Sequence, residues 1–457
     1  MMRNVSCLLQ NAYGSADMRT IWHERNMVQK WLDFESAISQ ASAEVGLVPK
    51  EAADEITRKS SLDYLTPEMI NEFKVDAGHL IVSLIKAFAK MCGPMGEHYH
   101  VGPTTQDILD TGLTLQMREA YNVIYPKMIK LEDIWLGLAE KHKLTVMMGR
   151  THGQHAVPIT FGFKVACWAY ELRDCIERFK EMKKRLFVMK LSAACGTRNT
   201  WVYLMGKEKT HDMVRRVAEK IGLGNPPADL ALRTDRFAEC TNNLALLSSL
   251  LGKIGLEVRD LQRTELQEVE EPWDSAKQYS SSTMPNKRNP EPSEWQHGLA
   301  KLARANAMVM MDISQAGERD ATRMGPEMAC ISDNFGYADA GLNQAIRIFS
   351  KLVVHADRMK QNLYMQKGIA MSEVVMLKLW QKTGKKVASH TLVHDLSMKA
   401  FDENKSLKQA ILETPEARKN LTDKEIDEIT NPEVYFGDAV EQVNFVKAYI
   451  MERRKND

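Results

Sequence analysis

A regular apolar repeat in the middle of the chain places the strongest limit on the fold. No proline occurs between Pro227 and Pro272, and within this stretch leucine, isoleucine and valine recur at alternating spacings of three and four: Leu244, Leu247, Leu251, Ile254, Val258 and Leu261. This spacing is typical of the packing seam of a helix bundle. We predict a helix over about 236–271, which would be roughly 50 Å long at ~1.5 Å per residue.

A helix of that length is too long to be covered by one small domain, so it predicts a long bundle that other subunits complete. Two further long helices are expected over about 111–142 and 161–189. The part beyond 362 carries more charge and shorter helical segments, one of them opened by a capping box of Thr422 and Glu425. The predicted fold is therefore all-α, with helical domains over 1–106, 107–361 and 362–457.

Composition excludes several classes of function. The chain has 61 Lys and Arg against 60 Asp and Glu, so it lacks the basic excess that binds nucleic acid or anionic membrane. Its seven cysteines are scattered without a CxxC pair, which argues against a disulfide framework or a zinc cluster. No stretch approaches the ~20 apolar residues of a membrane helix. We expect a cytoplasmic protein with no membrane or nucleic-acid partner.

Three polar segments interrupt the helical pattern, and the first is His-Val-Gly-Pro-Thr-Thr-Gln-Asp at 100–107. Thr104, Thr105, Gln106 and Asp107 follow a tight turn and lead into a predicted helix start. Hydroxyls and main-chain amides at a helix N-terminus suit a carboxylate or a phosphate. For Thr104 and Thr105 taken alone, ordinary N-capping is the favoured interpretation.

The second segment is Gly-Arg-Thr-His-Gly-Gln-His-Ala-Val-Pro at 149–158. His152 and His155 have metal-compatible spacing, but no nearby carboxylate or cysteine completes a site, so a metal is disfavoured. A histidine among small polar residues suits proton transfer better. His390 and His394 lack the glutamate of the HExxH motif, and we interpret them as surface histidines of a helix.

The third segment is Tyr-Ser-Ser-Ser-Thr-Met-Pro-Asn-Lys-Arg-Asn-Pro at 279–290. A serine acts as a base only where cations or amide donors stabilise its alkoxide. Lys287 and Arg288 are placed to supply such a field. On composition alone, a solvated surface loop is the favoured interpretation.

Together, these segments resemble the fumarase/aspartase superfamily. Residues 281–290 match the serine motif SSxMPxKxNP, and the Thr-Thr-Gln-Asp and Gly-Arg-Thr-His-Gly-Gln segments match the other two family regions in the right order. The Glu-Val-Glu-Glu sequence at 268–271 also fits. The resemblance covers essentially the whole chain, and it is strongest to adenylosuccinate lyase and to bacterial 3-carboxy-cis,cis-muconate cycloisomerase.

The resemblance implies a homotetramer whose active sites are each shared between three subunits. It implies a cofactor-free lyase that eliminates a group anti across a C–C bond beside a carboxylate of a small anionic dicarboxylate, usually with release of fumarate. An adenylosuccinate lyase-like C–N lyase acting on an N-succinyl substrate is the leading expectation. Carboxymuconate cycloisomerase, or another small-dicarboxylate lyase, is the alternative. A catalytically silent structural homologue is the third.

The resemblance also assigns residues. Ser281 aligns with the catalytic base, His152 with the general acid, and Glu294 with the carboxylate that pairs with this histidine. The remaining positions are expected to contact substrate: Tyr13, His79, Thr104, Thr105, Gln106, Asp107, Thr151, Gln154, Ser282, Met284, Lys287, Asn289 and Arg319.

The chain departs from the adenylosuccinate lyase pattern where that branch holds phosphate. Ala12 stands in place of the arginine of an Arg-Tyr pair, and Met328 in place of another arginine. Ser280 replaces the glycine that is usual before the paired serines. Three arginines are candidates to compensate for the missing phosphate contacts: Arg233, Arg319 and Arg323.

Overall fold

The computed structural model describes residues 14–73, 79–228, 233–276, 278, 281–315, 321–455 and 457. Helices dominate this part of the chain, which confirms the all-α prediction. The first helices along the chain differ in length, and α2 is the longest of them: α1 (Ala16–Ile21), α2 (Glu24–Glu44), α3 (Lys50–Lys59), α4 (Pro67–Asn71) and α5 (Leu80–Cys92). Long helices follow them: α6 (Thr105–Lys141), α7 (Phe161–Leu186), α8 (Asn199–Ile221), α9 (Asp235–Leu261), α10 (Glu291–Ile313) and α11 (Met324–Phe349).

The C-terminal helices are shorter: α12 (Ala356–Leu363), α13 (Ser372–Thr383), α14 (Lys386–Asp402), α15 (Leu407–Glu413), α16 (Pro415–Arg418), α17 (Asp423–Ile429) and α18 (Ala439–Arg454). Three short 3-10 helices cover Gly93–His98, Ile369–Met371 and Pro432–Val434. Two antiparallel strand pairs complete the described part, β1 (Val146–Thr151) with β2 (Gln154–Thr160) and β3 (Val269–Glu270) with β4 (Val353–Val354). The predicted capping box is present, because Thr422 and Glu425 each accept from the other's main-chain amide.

The apolar stripe of α9 is buried along its whole length, as the bundle prediction requires. The helix itself ends at Leu261, however, and not near 271. Glu268 N donates to Leu261 O, and Gln267 takes a left-handed backbone with φ 52°. The chain therefore turns back directly after the stripe, and the residues that follow enter β3.

The described chain forms two compact units. The first comprises 1–128, 175–252 and 296–343, and the second comprises 129–174, 253–295 and 344–457. Helices α6, α7, α9, α10 and α11 each contribute residues to both units. The division into domains at 106 and 361 stays a prediction.

Each unit has its own apolar core. In the first, aromatic side chains of α2, α5 and α8 are fully buried together, among them Trp31, Phe88 and Trp201. In the second, α13 to α17 enclose an aliphatic cluster that includes Leu379, Leu396 and Ile426. None of the described helices is long and apolar enough to cross a membrane.

Candidate active site

The Gly-Arg-Thr-His-Gly-Gln segment forms a β-hairpin, which the helical interpretation of the sequence missed. Thr151 pairs with Gln154, and the two residues between them have positive φ values, 53° at His152 and 74° at Gly153. Positive φ at both central positions is the geometry that the twist of a two-residue hairpin favours. His152 therefore lies exposed at the hairpin tip, and the exposed Thr151 and Gln154 flank it.

An ion pair with a buried carboxylate holds this hairpin next to its tip. Arg150 donates from Nη1 and Nη2 to the two carboxylate oxygens of Glu268, over 2.9 and 2.7 Å. The Glu268 side chain is fully buried and also accepts from Asn362 Nδ2 at 2.8 Å. A bidentate guanidinium–carboxylate pair is strong and directional. The position of His152 is thus set through the strand that carries Arg150.

His155 lies opposite Arg150 in the hairpin, on the partner strand. Burial lowers the pKa of His155, and the neighbouring Arg150 lowers it further. A neutral, partly buried imidazole is a poor proton donor, so the structure distinguishes it from the exposed His152. Among the described residues, no group of three His, Cys, Asp or Glu side chains is arranged to hold a metal ion.

The hydroxyl of Ser281 faces main-chain donors. Its Oγ accepts from Met284 N at 2.9 Å and from Thr283 N at 3.3 Å. Hydrogen bonds from amides favour the negatively charged form of an acceptor, so they favour the alkoxide that a serine base requires. Ser282 and Met284 are exposed beside it.

The segment at 281–290 carries two cations, Lys287 and Arg288. The Lys287 side chain is exposed, and its main-chain amide donates to Met284 O at 3.1 Å. Asn289 is partly buried. Arg288 differs from the sequence-based expectation, because its Nη1 donates to Glu270 Oε1 at 2.7 Å. Its charge is therefore engaged by a carboxylate outside the segment.

Glu294 lies exposed in the first turn of α10. Within the described part of the chain, no hydrogen bond or ion pair joins its carboxylate to His152. One copy of the chain does not form the predicted acid–carboxylate pair by itself, and that pairing stays a prediction about an assembly of copies.

The Thr-Thr-Gln-Asp segment is divided between outward and inward side chains. Thr104 and Thr105 are partly exposed at the start of α6, whereas Gln106 and Asp107 are buried. Gln106 donates from Nε2 to Asp110, one turn further along α6. In the described chain, Gln106 and Asp107 therefore bond to the protein itself, and contact of the four residues with substrate stays a prediction.

Asp107 shows this most clearly. Its carboxylate accepts from three main-chain amides, those of Thr104 at 3.0 Å, Ser192 at 3.1 Å and Ala193 at 3.0 Å. Burial raises the pKa of Asp107 to about 6 despite these donors. The side chain binds the segment at 190–193 to the start of α6, which makes it a positioning residue.

The segment at 190–193 holds the start of α6 through further contacts. Lys190 exchanges two hydrogen bonds with the hydroxyl of Thr111, each 2.9 Å long. Beyond it, Ala193 and Arg198 have left-handed backbone, with φ of 60° and 56°. Cys195 is exposed between them.

Other predicted residues have different surroundings. His79 is exposed and caps α5, with its Nδ1 accepting from Val82 N at 3.4 Å. Arg323 is fully buried and donates to Asp110 at 3.1 Å and to Glu327 at 2.7 Å. The expectation that Arg323 replaces a missing phosphate contact is therefore wrong, because both its partners are buried carboxylates.

Arg233 pairs with Asp235 at 3.2 Å and is partly exposed. Tyr13 and Arg319, which were predicted to contact substrate, lie outside the described residues, as does Ser280.

Comparison with known proteins identifies the family. Residues 13–304 match a protein family described as lyase. Residues 368–446 match a second family, described as the adenylosuccinate lyase C-terminus. The chain belongs to this lyase family. Its placement in the adenylosuccinate lyase and muconate cycloisomerase branch of the fumarase/aspartase superfamily is confirmed.

Individual relatives of the lyase match along almost its whole length. It is 40% identical to an adenylosuccinate lyase of Methanocaldococcus jannaschii, over 95% of this chain and 94% of the relative. It is 35% identical to an N-acetyl-S-(2-succino)cysteine lyase of Dickeya dadantii, over 97% and 96%. Among solved structures, a 3-carboxy-cis,cis-muconate lactonizing enzyme from Pseudomonas putida superposes with a TM-score of 0.89 at 29% identity, over 97% of this chain and 99% of that one.

Proposed function

We propose that this lyase cleaves a succinylated substrate by anti β-elimination and releases fumarate, with adenylosuccinate as the leading substrate. The observation that carries the proposal is the 40% identity to an adenylosuccinate lyase over nearly the full length of both chains. The amide donors at Ser281 support it, because they favour the alkoxide that the reaction needs. On this proposal the enzyme is cytoplasmic and serves purine metabolism.

The proposed mechanism assigns one task to each group. Ser281 removes the proton next to a carboxylate, and negative charge then spreads onto that carboxylate. Lys287 and Asn289 meet this charge as it forms, which lowers the barrier. His152 protonates the departing nitrogen, and Glu294 of another copy orients this imidazole. Thr104, Thr105, Thr151 and Gln154 hold the substrate. All of these roles belong to the proposal.

We further propose that the lyase is a homotetramer. One face of α10 carries residues at the spacing of a heptad seam, of which all but the partly buried Gly298 are exposed: Trp295, Gly298, Leu302, Ala305 and Val309. Trp295, Leu302 and Val309 have exposed fractions of 43%, 45% and 41%. A large apolar stripe on a long helix is typical of a surface that another subunit covers. Such an assembly would also bring His152 and Glu294 of different copies together.

A second candidate is cleavage of a C–S bond in a succinylated thiol. The relative from Dickeya dadantii is named for such a substrate and is 35% identical. The burial of Arg323 between two carboxylates favours this candidate, because it removes one potential phosphate contact. Ala12 and Met328 remove two more. A thiolate leaving group also depends less on protonation by His152 than an amine does.

The structural neighbour from Pseudomonas putida is named for carboxymuconate, which is the third candidate substrate. We rank carboxymuconate below the two succinylated substrates, because the identity to this neighbour is 29%, lower than the identities to the relatives named for those substrates.

The test is a direct comparison of substrates. Purified protein is incubated separately with adenylosuccinate, with N-acetyl-S-(2-succino)cysteine and with 3-carboxymuconate. The products are separated by chromatography, and fumarate is measured by its ultraviolet absorbance. We expect fumarate and AMP from adenylosuccinate, and a rate about 10³-fold lower in Ser281→Ala.

Fumarate from the succinylated cysteine alone would replace the leading substrate with the second candidate. Absence of turnover with all three would reject the proposal and favour a catalytically silent homologue.

A further inference from the structure

We propose that Arg288 is a positioning residue for Ser281: with Glu270, it fixes the C-terminal end of the serine segment (281–290) against the acidic segment (268–271). The inference rests on the proposed function, because it concerns how the proposed base is held. The serine motif leaves the position of Arg288 open, so the resemblance assigns this side chain no task.

Arg288 is held at three points. Its Nη1 donates to Glu270 Oε1 over 2.7 Å, and its guanidinium carbon lies 5.9 Å from the ring centre of Trp273, within the range of a cation–π contact. Its main-chain carbonyl accepts from Gln262 Nε2 at 3.2 Å. Side chain and backbone of the same residue are thus both bound, which restrains its position and its orientation.

Gln262 connects this contact back to the acidic segment. Its Oε1 accepts from Glu271 N at 2.8 Å, while its Nε2 donates to the main-chain carbonyl of Arg288. Glu270 also pairs with Val353 in the short sheet, so the carboxylate that binds Arg288 stands on a fixed strand. His355 Nε2 lies 3.5 Å from the other oxygen of Glu270 and adds a second partner to it.

The neighbouring glutamate holds the chain beyond the serine segment. Glu271 accepts from the amide of Ser293 at 3.0 Å and from its hydroxyl at 2.5 Å, in the first turn of α10. Glu268 meanwhile binds Arg150 in the hairpin that carries His152. The acidic segment therefore contacts both elements that carry the proposed proton-transfer groups, and Arg288 is the contact nearest to Ser281 along the chain.

The ion pair of Arg288 and Glu270 is partly exposed, so its loss can be expected to affect catalysis without lowering the stability of the fold. The exposed fraction of the Arg288 side chain is 53% and that of Glu270 is 23%. Exposed ion pairs contribute little to global stability. Loss of Arg288 should therefore change catalysis, where small displacements of a reacting group matter, and leave the melting temperature almost unchanged.

The experiment compares Arg288→Gln, Glu270→Gln and the double variant Arg288→Glu/Glu270→Arg in the full-length protein. Arg263→Gln is the matched control, since Arg263 has a similar exposed fraction of 58% and pairs with Asp260 at 3.0 Å. We expect kcat to fall about tenfold in each single variant, with KM within about twofold of wild type. The charge swap should recover most of kcat, and Arg263→Gln should behave as wild type.

Amide hydrogen exchange over 281–290 supplies a readout that needs no turnover. Exchange should be faster in Arg288→Gln than in Arg263→Gln. Unchanged exchange, or unchanged kcat in both single variants, would overturn the positioning role. If the wild-type protein forms no fumarate from any tested substrate, the proposed function fails, whereas the exchange measurement still decides whether Arg288 holds the segment.

Discussion

The carboxylate of Asp107 binds the main-chain amides of Ser192 and Ala193, 3.1 and 3.0 Å away, although these residues follow it by 85 and 86 positions. The same carboxylate accepts from Thr104 N in its own segment. One buried side chain at the start of α6 therefore joins Thr104, directly before the helix, to the chain at Ser192 and Ala193. This relationship leads to a measurable dependence of stability on pH.

Burial raises the pKa of Asp107 to about 6 from an ordinary value near 4. The folded protein thus binds this proton more tightly than the unfolded chain between these values. This stabilisation is about 3 kcal/mol when it is full, below pH 4, and it is lost as pH rises through 6. Between pH 4.5 and 7.5, urea titrations should therefore show the free energy of unfolding of the wild-type protein falling by about 2 kcal/mol more than that of Asp107→Asn. Identical pH dependence in both proteins, or the same change in the exposed control Asp54→Asn, would contradict this.

His152 occupies a left-handed hairpin position, which determines the right substitution for testing it. Asparagine tolerates positive φ, so His152→Asn should keep the hairpin and the melting temperature while it removes the proposed acid. We expect kcat with adenylosuccinate to fall by about 10²–10⁴-fold. His390→Asn on α14 should leave kcat unchanged. A kcat close to that of the wild-type protein in His152→Asn would assign the acid to another group.

Glu268→Gln removes the only charge that Arg150 is seen to pair with in the described chain. Breaking one side of a buried ion pair leaves an uncompensated charge, so we expect the free energy of unfolding to fall by about 3 kcal/mol in urea titrations. The control is Glu171→Gln, which breaks the exposed pair with Lys253 and should cost less than about 1 kcal/mol. Equal losses in the two variants would show that the Arg150 pair does not anchor the hairpin.

Leu302→Glu places a charge in the middle of the exposed stripe of α10. We expect light scattering after size exclusion to show smaller species, because a charge facing an apolar seam is costly to bury. Fumarate formation should be lost with the assembly, since active sites shared between copies would come apart. Phe401→Glu alters a side chain with a 68% exposed fraction on α14 and should keep the native size. An unchanged mass for Leu302→Glu would exclude this stripe as the interface.

The apolar period was sufficient to predict the bundle, because the α9 stripe repeats over five helical intervals and every member is buried. The same period could not show where α9 stops. Residues 262–271 contain no proline or glycine, and the helix ends there through tertiary bonds such as that of Glu268 with Arg150. Local propensity does not record a partner that lies 118 residues away.

The motifs single out the segments that carry Ser281 and His152, and the roles of these two residues stay predictions. Nothing local in the sequence indicated that Gln106 and Asp107 turn inward while Thr104 and Thr105 do not. That division depends on the segment at 190–193, which folds against α6 from a distant part of the chain. Arg323 was misassigned for a similar reason, since its buried partner Asp110 lies 213 residues earlier.

The acidic segment has a further consequence for how this protein can change over evolution. Glu268, Glu270 and Glu271 each bind a different element, through Arg150, Arg288 and Ser293. Inserting or deleting one residue between them would detach at least one element, because each successive side chain would point elsewhere. We therefore expect length variation among descendants of this enzyme to avoid 268–271, even where its sequence drifts.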